Sequence, residues 1–188
     1  MRHLRSGHIT RRAGLAWAAA ALAWPAHAQG VAVPPELRGD WPQARLQGQT
    51  RLTFFGLHIY DARLWAPAAV AAADTARAAL AIELIYARGL SGTKIAERSL
   101  DEMRRVGSVD DAQAERWLQA MKRLFPDVKA GDRITGVQQP GQGARFFVNG
   151  QLAGEVREDA FAALFFGIWL SSKTSEPTLR EQLLGLRP

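Results

Sequence analysis

Hydrophobic positions along this chain alternate between two periods, and the changes of period mark its elements. The stretch LTFFGLHIYDARLWA is rich in aromatic and β-branched residues around one glycine, which predicts a hairpin turning at Phe55-Gly56. Ala79 to Ala87 alternates strictly, placing Leu80, Ile82, Leu84 and Tyr86 on one face of a third strand. Helical spacing then takes over, opened by Ser91 as a cap and carried by Ile95, Ser99, Met103 and Val106. After Asp110 a second helix follows on Ala114, Trp117, Leu118, Met121 and Phe125, and Pro126 stops it. Strands return between Gly131 and Val156, where Asn149-Gly150 is a strong two-residue hairpin signal. The last two elements read as helices. Asp159 to Leu170 is apolar nearly all round and therefore buried, and a shorter helix is capped by Ser175 with Pro177 in its first turn. Residues 29 to 43, with Pro34, Pro35 and Pro42, read as a leader into the fold. Strands, helices, strands, helices is the order of an α+β domain: an antiparallel sheet with helices packed on one face.

The first 28 residues do not fit that pattern. Arg2, Arg5, Arg11 and Arg12 form a basic start without acids, Ala13 to Trp24 is an uncharged apolar run, and Ala26-His27-Ala28 is a small-x-small cleavage site behind Pro25. The order is that of a secretory signal cleaved after Ala28, and TRRAGL resembles the twin-arginine signals of bacteria. Twelve apolar residues rise only about 18 Å as a helix, short of a hydrocarbon core of roughly 30 Å, so the run is not read as a membrane span. The expectation is a periplasmic domain of residues 29 to 188 with no integral membrane segment.

Export changes the picture that composition gives. The chain as a whole carries +6, but four of its 24 basic residues and none of its 18 acids lie in the signal, so the mature balance is +2. That removes the basis for a nucleic-acid partner, and no arginine-rich stripe restores it. There is no cysteine, which excludes disulfides, thiolate nucleophiles and iron-sulfur ligation. Of four histidines only His58 lies beyond the signal, so a multi-histidine metal site is excluded, and no GxSxG elbow accompanies His58 for a nucleophilic triad. No cofactor is expected.

The candidate chemistry sits on the first hairpin. With two central residues at Phe55-Gly56, regular pairing sets Arg51 opposite Tyr60 and Thr53 opposite His58, all four on one face, while Leu52, Phe54, Leu57 and Ile59 fill the other. Two readings of the four polar residues stand. They face solvent on a half-wet sheet, or the forked donors of Arg51 and the phenol of Tyr60 hold an anionic oxygen.

GQTRLTFFGLHIYDARLW, LSGTKIAERSLDEM, PGQGARFFVNG and FGIWLSSKTSEPTLREQLLG together resemble the chalcone isomerase-like proteins of bacteria, relatives of plant chalcone isomerases and of fatty-acid-binding proteins of the same fold. The resemblance implies an open-faced antiparallel sandwich with a ligand cleft between sheet and helices. It aligns Arg51 with the cleft arginine of the plant enzymes and puts Tyr60 where they have a threonine. Ile95 and Glu102 fall where they have a tyrosine and an asparagine, and Gly167 falls near a polar residue of their late helix. Most of the ring-closing apparatus is thus missing while an arginine-tyrosine pair of the fatty-acid-binding kind remains.

The leading expectation is therefore a non-catalytic binding domain for an amphipathic carboxylate such as a fatty acid. Its head would meet Arg51 and Tyr60, with Thr53 and His58 beside them, and its tail would lie among Ile95, Met103, Phe161 and Phe165, four residues that equally suit plain core packing. An isomerase or intramolecular lyase that uses Arg51 and Tyr60 on a developing oxyanion is the alternative, weakened by the lack of a second proton-transfer group beyond His58 or Glu102. A scaffold for a membrane-lipid pathway is a third. Lys94 and Arg88 flank the first helix as rim candidates, Trp117 and Trp169 read as core, and Glu102, Arg104 and Arg105 read as a wet helix face.

Overall fold

The computed structural model describes residues 31–186, so the signal segment lies outside the described residues. Six strands form one antiparallel sheet in the order of the sequence: β1 (Arg45–Phe54), β2 (Leu57–Ala66), β3 (Leu80–Tyr86), β4 (Arg133–Gln139), β5 (Gly143–Val148) and β6 (Gln151–Val156). The strands form a simple meander: tight turns join β1 to β2, β4 to β5 and β5 to β6, a longer loop over residues 67–79 joins β2 to β3, and the longest excursion runs from β3 to β4. That excursion carries α2 (Gly92–Val106) and α3 (Asp111–Leu124); α4 (Asp159–Leu170) and α5 (Pro177–Leu183) follow the last strand, and a single turn, α1 (Pro35–Arg38), precedes the first.

The helix boundaries have local causes. Asp110 caps α3 through a reciprocal box with Gln113, each side chain bonding the other's backbone N–H. Ser91 is the N-cap of α2 as expected, but its side chain makes no capping bond; the Gly92 N–H donates to Asp127 instead, at 2.8 Å. In α5 the cap is Glu176 rather than Ser175, one residue later than read from sequence, with Pro177 at its first position.

Alternation on β3 sends Leu80, Ile82, Leu84 and Tyr86 to the helix side, where they join Ala62, Leu64, Phe146, Met103, Met121 and the aromatic residues of α4 in one core. Phe161 stacks on Phe165 with centroids 5.5 Å apart, and Trp117 meets Phe161 edge-on. These contacts answer one open point. Met103 and Phe161 are fully buried and Phe165 nearly so, as core residues are.

The other sheet face is not bare. Leu37, Trp41 and Ala44 bury against Trp65, Ala81, Val137 and Phe147, so the segment read as a leader is a cover for the outer face. Its seal is ionic. Arg133 donates to Glu83 at 3.1 Å and to Glu36 at 2.9 Å, the Trp65 indole donates to Glu83 at 3.0 Å, and Thr135 donates to Glu36 at 2.7 Å.

Candidate functional site

One extra residue in β2 decides which side chains can meet. Phe54 pairs with Leu57 and Thr53 with His58, as the two-residue turn requires, but the register then slips so that Leu52 pairs with Tyr60 and Arg51 with Asp61. Ile59 is the bulged residue, and its carbonyl accepts the Ala87 N–H at 2.9 Å. Because side chains alternate with period two, a slip of one exchanges faces. The expected pairing of Arg51 with Tyr60 is thereby corrected: the two project from opposite sides of the sheet. The same turn leaves Phe54 and Leu57 exposed beyond the helices rather than filling the inner face.

On the outer face Arg51 donates through Nε to Asp61 Oδ1 at 2.8 Å and through Nη2 to Oδ2 at 3.4 Å, while His58 Nε2 lies 3.2 Å from Asp61 Oδ1. His58 and Asp61 are three apart and would point to opposite faces in a regular strand; the bulge puts them together. The hydrogen bond from Arg51 holds the Asp61 carboxyl below the usual carboxylate range and raises the guanidinium in turn. Arg51 is 60% exposed at its side chain. It borders an open, largely polar groove of about 770 Å³ that also touches Gln49, Asp61, Arg63 and Gln182. Paired with Asp61 on the sheet face away from Tyr60, Arg51 is half of a surface ion pair.

Tyr60 belongs to the helix side. Its hydroxyl accepts a hydrogen bond from the Trp169 indole at 3.0 Å, its ring meets Tyr86 edge-on at 6.0 Å, and part of the ring surface stays open. Burial of the hydroxyl pushes it up to about 12, opposed by the Trp169 bond and the charge of Arg98 and reinforced by Glu176 and Glu102. Tyr86 is raised by the same burial and by Tyr60 beside it. A phenol in this state keeps its proton and offers it as a donor.

The helix α2 supplies the charge here. Arg98 reaches Glu102 at 2.6 Å and Arg105 reaches it at 3.2 Å, and the Glu102 side chain is only 7% exposed. Glu102 is therefore not on a wet face as the sequence suggested; it is a buried carboxylate held by two arginines whose far ends are in solvent. Ile95, two turns before Glu102, packs half-open against the same core, as do Leu52 and Tyr60. So the structure brings Tyr60 and Ile95 to one side with Met103 beneath, and leaves Arg51, Thr53 and His58 on the other.

Sequence reasoning had Glu102 as a cleft candidate beside Tyr60 but missed its partner Arg98 and the contact of Trp169. Arg98 was legible as the i, i+4 partner of Glu102, following Ile95 on one helix. The contact of Trp169, more than a hundred residues from Tyr60, has no local signal.

Gly167 lines a smaller cavity of about 300 Å³ with Ala72, Val106, Leu164, Leu170 and Arg180. A Cβ at Gly167 would come within 2.7 Å of Val106, so close packing of α4 on α2 excludes a polar side chain there. Among the described residues no cluster of three acids or histidines could hold a metal ion, and no helix is long and apolar enough to cross a membrane.

The sequence matches the model of the chalcone isomerase-like family over residues 26–185. This chain belongs to the chalcone isomerase-like family. Among solved structures, this family member is similar to a fatty-acid binding protein of Arabidopsis thaliana, with a TM-score of 0.60 over 76% of this chain and 87% of that one, at 15% identity. At that identity the likeness establishes the fold. No curated protein matches the sequence.

Proposed function

We propose that this chain is an exported, non-catalytic chalcone isomerase-like domain of the periplasm that binds an amphipathic carboxylate such as a fatty acid. The carboxylate head meets the Tyr60 hydroxyl and the Arg98 guanidinium, and the tail lies on the half-open apolar residues Leu52 and Ile95. The observation that carries this reading is the Tyr60 hydroxyl itself, a donor on the helix side of the sheet whose acceptor lone pair is already taken by Trp169. Its proton is left for an anion, and Arg98, which is paired with Glu102 but two-thirds exposed, is the cation on the same side of the sheet whose charge it feels. The fold shared with a plant fatty-acid binding protein supports the ligand class.

Catalysis is disfavoured by the same geometry. A hydroxyl at about 12 is a poor proton shuttle near neutral pH. His58 lies on the opposite face, bound to Asp61. Losing oriented donors costs a transition state far more than it costs a ground-state ligand.

The test is native mass spectrometry of protein purified from its own periplasm, with the N-terminus read at the same time. An acid adduct is expected on the wild type and on Arg51→Ala, is lost in Arg98→Ala, and weakens about tenfold in Tyr60→Phe, the worth of one charge-assisted hydrogen bond. Turnover of a chalcone-like substrate, or loss of the adduct in Arg51→Ala alone, would overturn the reading. Gln29 is the expected first residue.

A further inference from the structure

Five large apolar side chains are more than half exposed among the described residues, and three of them crowd one turn: Phe54 at 59%, Phe55 at 89% and Leu57 at 52%. The Phe54 and Phe55 rings meet only each other at this tip, edge-on with centroids 4.5 Å apart. The last pairing between β2 and β3 is Tyr60 with Tyr86, and Ala87 still bonds Ile59, so Leu57 and His58 carry the turn roughly 7 Å past the neighbouring chain.

The backbone makes the exposure costly. Phe55 has φ +48° and Gly56 φ +75°, the two left-handed residues of a turn for which Asn-Gly is the preferred pair. A bulky residue in that region is a true outlier. The other hairpin turn, at the same end of the sheet, has nearly the same angles and uses Asn149-Gly150. Nothing inside the fold compensates Phe55, because its side chain touches almost nothing.

Three cations lie on the loops at this end of the sheet. Arg88 follows Ala87, whose N–H is bonded to Ile59; Lys94 lies in the first turn of α2; Lys129 follows Val128, which pairs with Leu90. All three are exposed; Arg88 and Lys94 have no ion-pair partner among the described residues, and Lys129 lies near enough to Asp132 to lower its carboxyl. Asp127 and Asp132 lie on the same loops, but Asp127 accepts the Gly92 N–H and Asp132 accepts the Lys129 N–H and the Asn149 amide.

We propose that the β1–β2 tip is a membrane-docking element: Phe54, Phe55 and Leu57 insert at the interface of a phospholipid bilayer, and Arg88, Lys94 and Lys129 meet its anionic headgroups. An apolar wedge with exposed cations on the loops behind it is the charge and polarity order of that interface, read from acyl region outward. This goes beyond the ligand reading and does not need it, since a chain that carries no acid can still dock.

The chain has no cysteine, so one can be placed for a label. Phe55→Cys carrying a polarity-sensitive fluorophore is mixed with vesicles of phosphatidylcholine, with and without phosphatidylglycerol, beside a control label at Glu115→Cys on α3. A blue shift at position 55 and none at 115 is expected, larger with phosphatidylglycerol. Unlabelled Phe55→Asn, which suits the turn, is expected to keep or raise Tm while binding vesicles about tenfold more weakly or worse. Arg88→Glu with Lys94→Glu is expected to abolish the preference for phosphatidylglycerol. The proposal fails if the label at 55 does not shift. It fails too if Phe55→Asn binds vesicles as the wild type does, or if the shift appears without vesicles and grows with protein concentration, the sign of a second copy covering the tip.

Discussion

Two hairpin turns stand at the same end of this sheet with the same backbone and opposite uses of it. Asn149-Gly150 turns inward. The Asn149 carbonyl accepts the Arg133 N–H at 2.8 Å, its amide donates to Asp132 at 3.1 Å, and Gly150 lies beside Arg133, Glu36 and Pro35. Phe55-Gly56 turns outward, with a residue poorly suited to its φ and a side chain 89% exposed. The first turn is held by what its side chain does for the fold. The second keeps a side chain that does nothing for the fold, which points to a use outside it.

The largest expected effect breaks the anchoring of the inward turn. Arg133→Ala leaves Glu36 and Glu83, both nearly without exposed side-chain surface, short of their shared cation. A loss of about 3–5 kcal/mol is expected, read as a lower urea midpoint at constant slope.

Next comes the base of the outward hairpin. Tyr60 ionises near 10 when unfolded and near 12 when folded, so stability is full below pH 10 and is lost as pH rises towards 12. The expected loss is about 3 kcal/mol across that interval. Absorbance at 295 nm and far-UV dichroism followed together should change in one transition. If the phenolate appears well before unfolding, the hydroxyl is not buried as described.

Exchanging the turn residues sharpens the comparison itself. Asn149→Phe removes two side-chain hydrogen bonds and adds strain, for an expected loss of about 2–3 kcal/mol. Phe55→Asn relieves strain and breaks nothing, for an expected gain of up to about 1 kcal/mol. Equal and opposite values would mean that only φ matters; the expected asymmetry is the worth of the Asn149 side-chain bonds.

Much of the fold was legible because its signals are local. Both two-residue turns, the alternation of β3, the helix start after Asp110, the stop at Pro126 and the all-round apolar α4 each follow from neighbouring residues and appear where expected. The outer-face cover was not legible, since Leu37 and Trp41 sit among prolines without a period and find their partners 24 or more residues away in β2 to β5. Nor was the burial of Glu102, which depends on what α2 packs against.

The sequence by itself determined the family, the order of the main elements and the apolar face of β3, because turn chemistry and side-chain period act over a few residues. Only the tertiary structure decided which polar residues share a site. The register of β2 is set by its two neighbours at once: the turn pairs Thr53 with His58, while β3 pairs Tyr86 with Tyr60 and takes the carbonyl of Ile59. The two demands differ by one residue. The bulge at Ile59 absorbs the difference, and in doing so sends Arg51 to Asp61 and Tyr60 to Trp169.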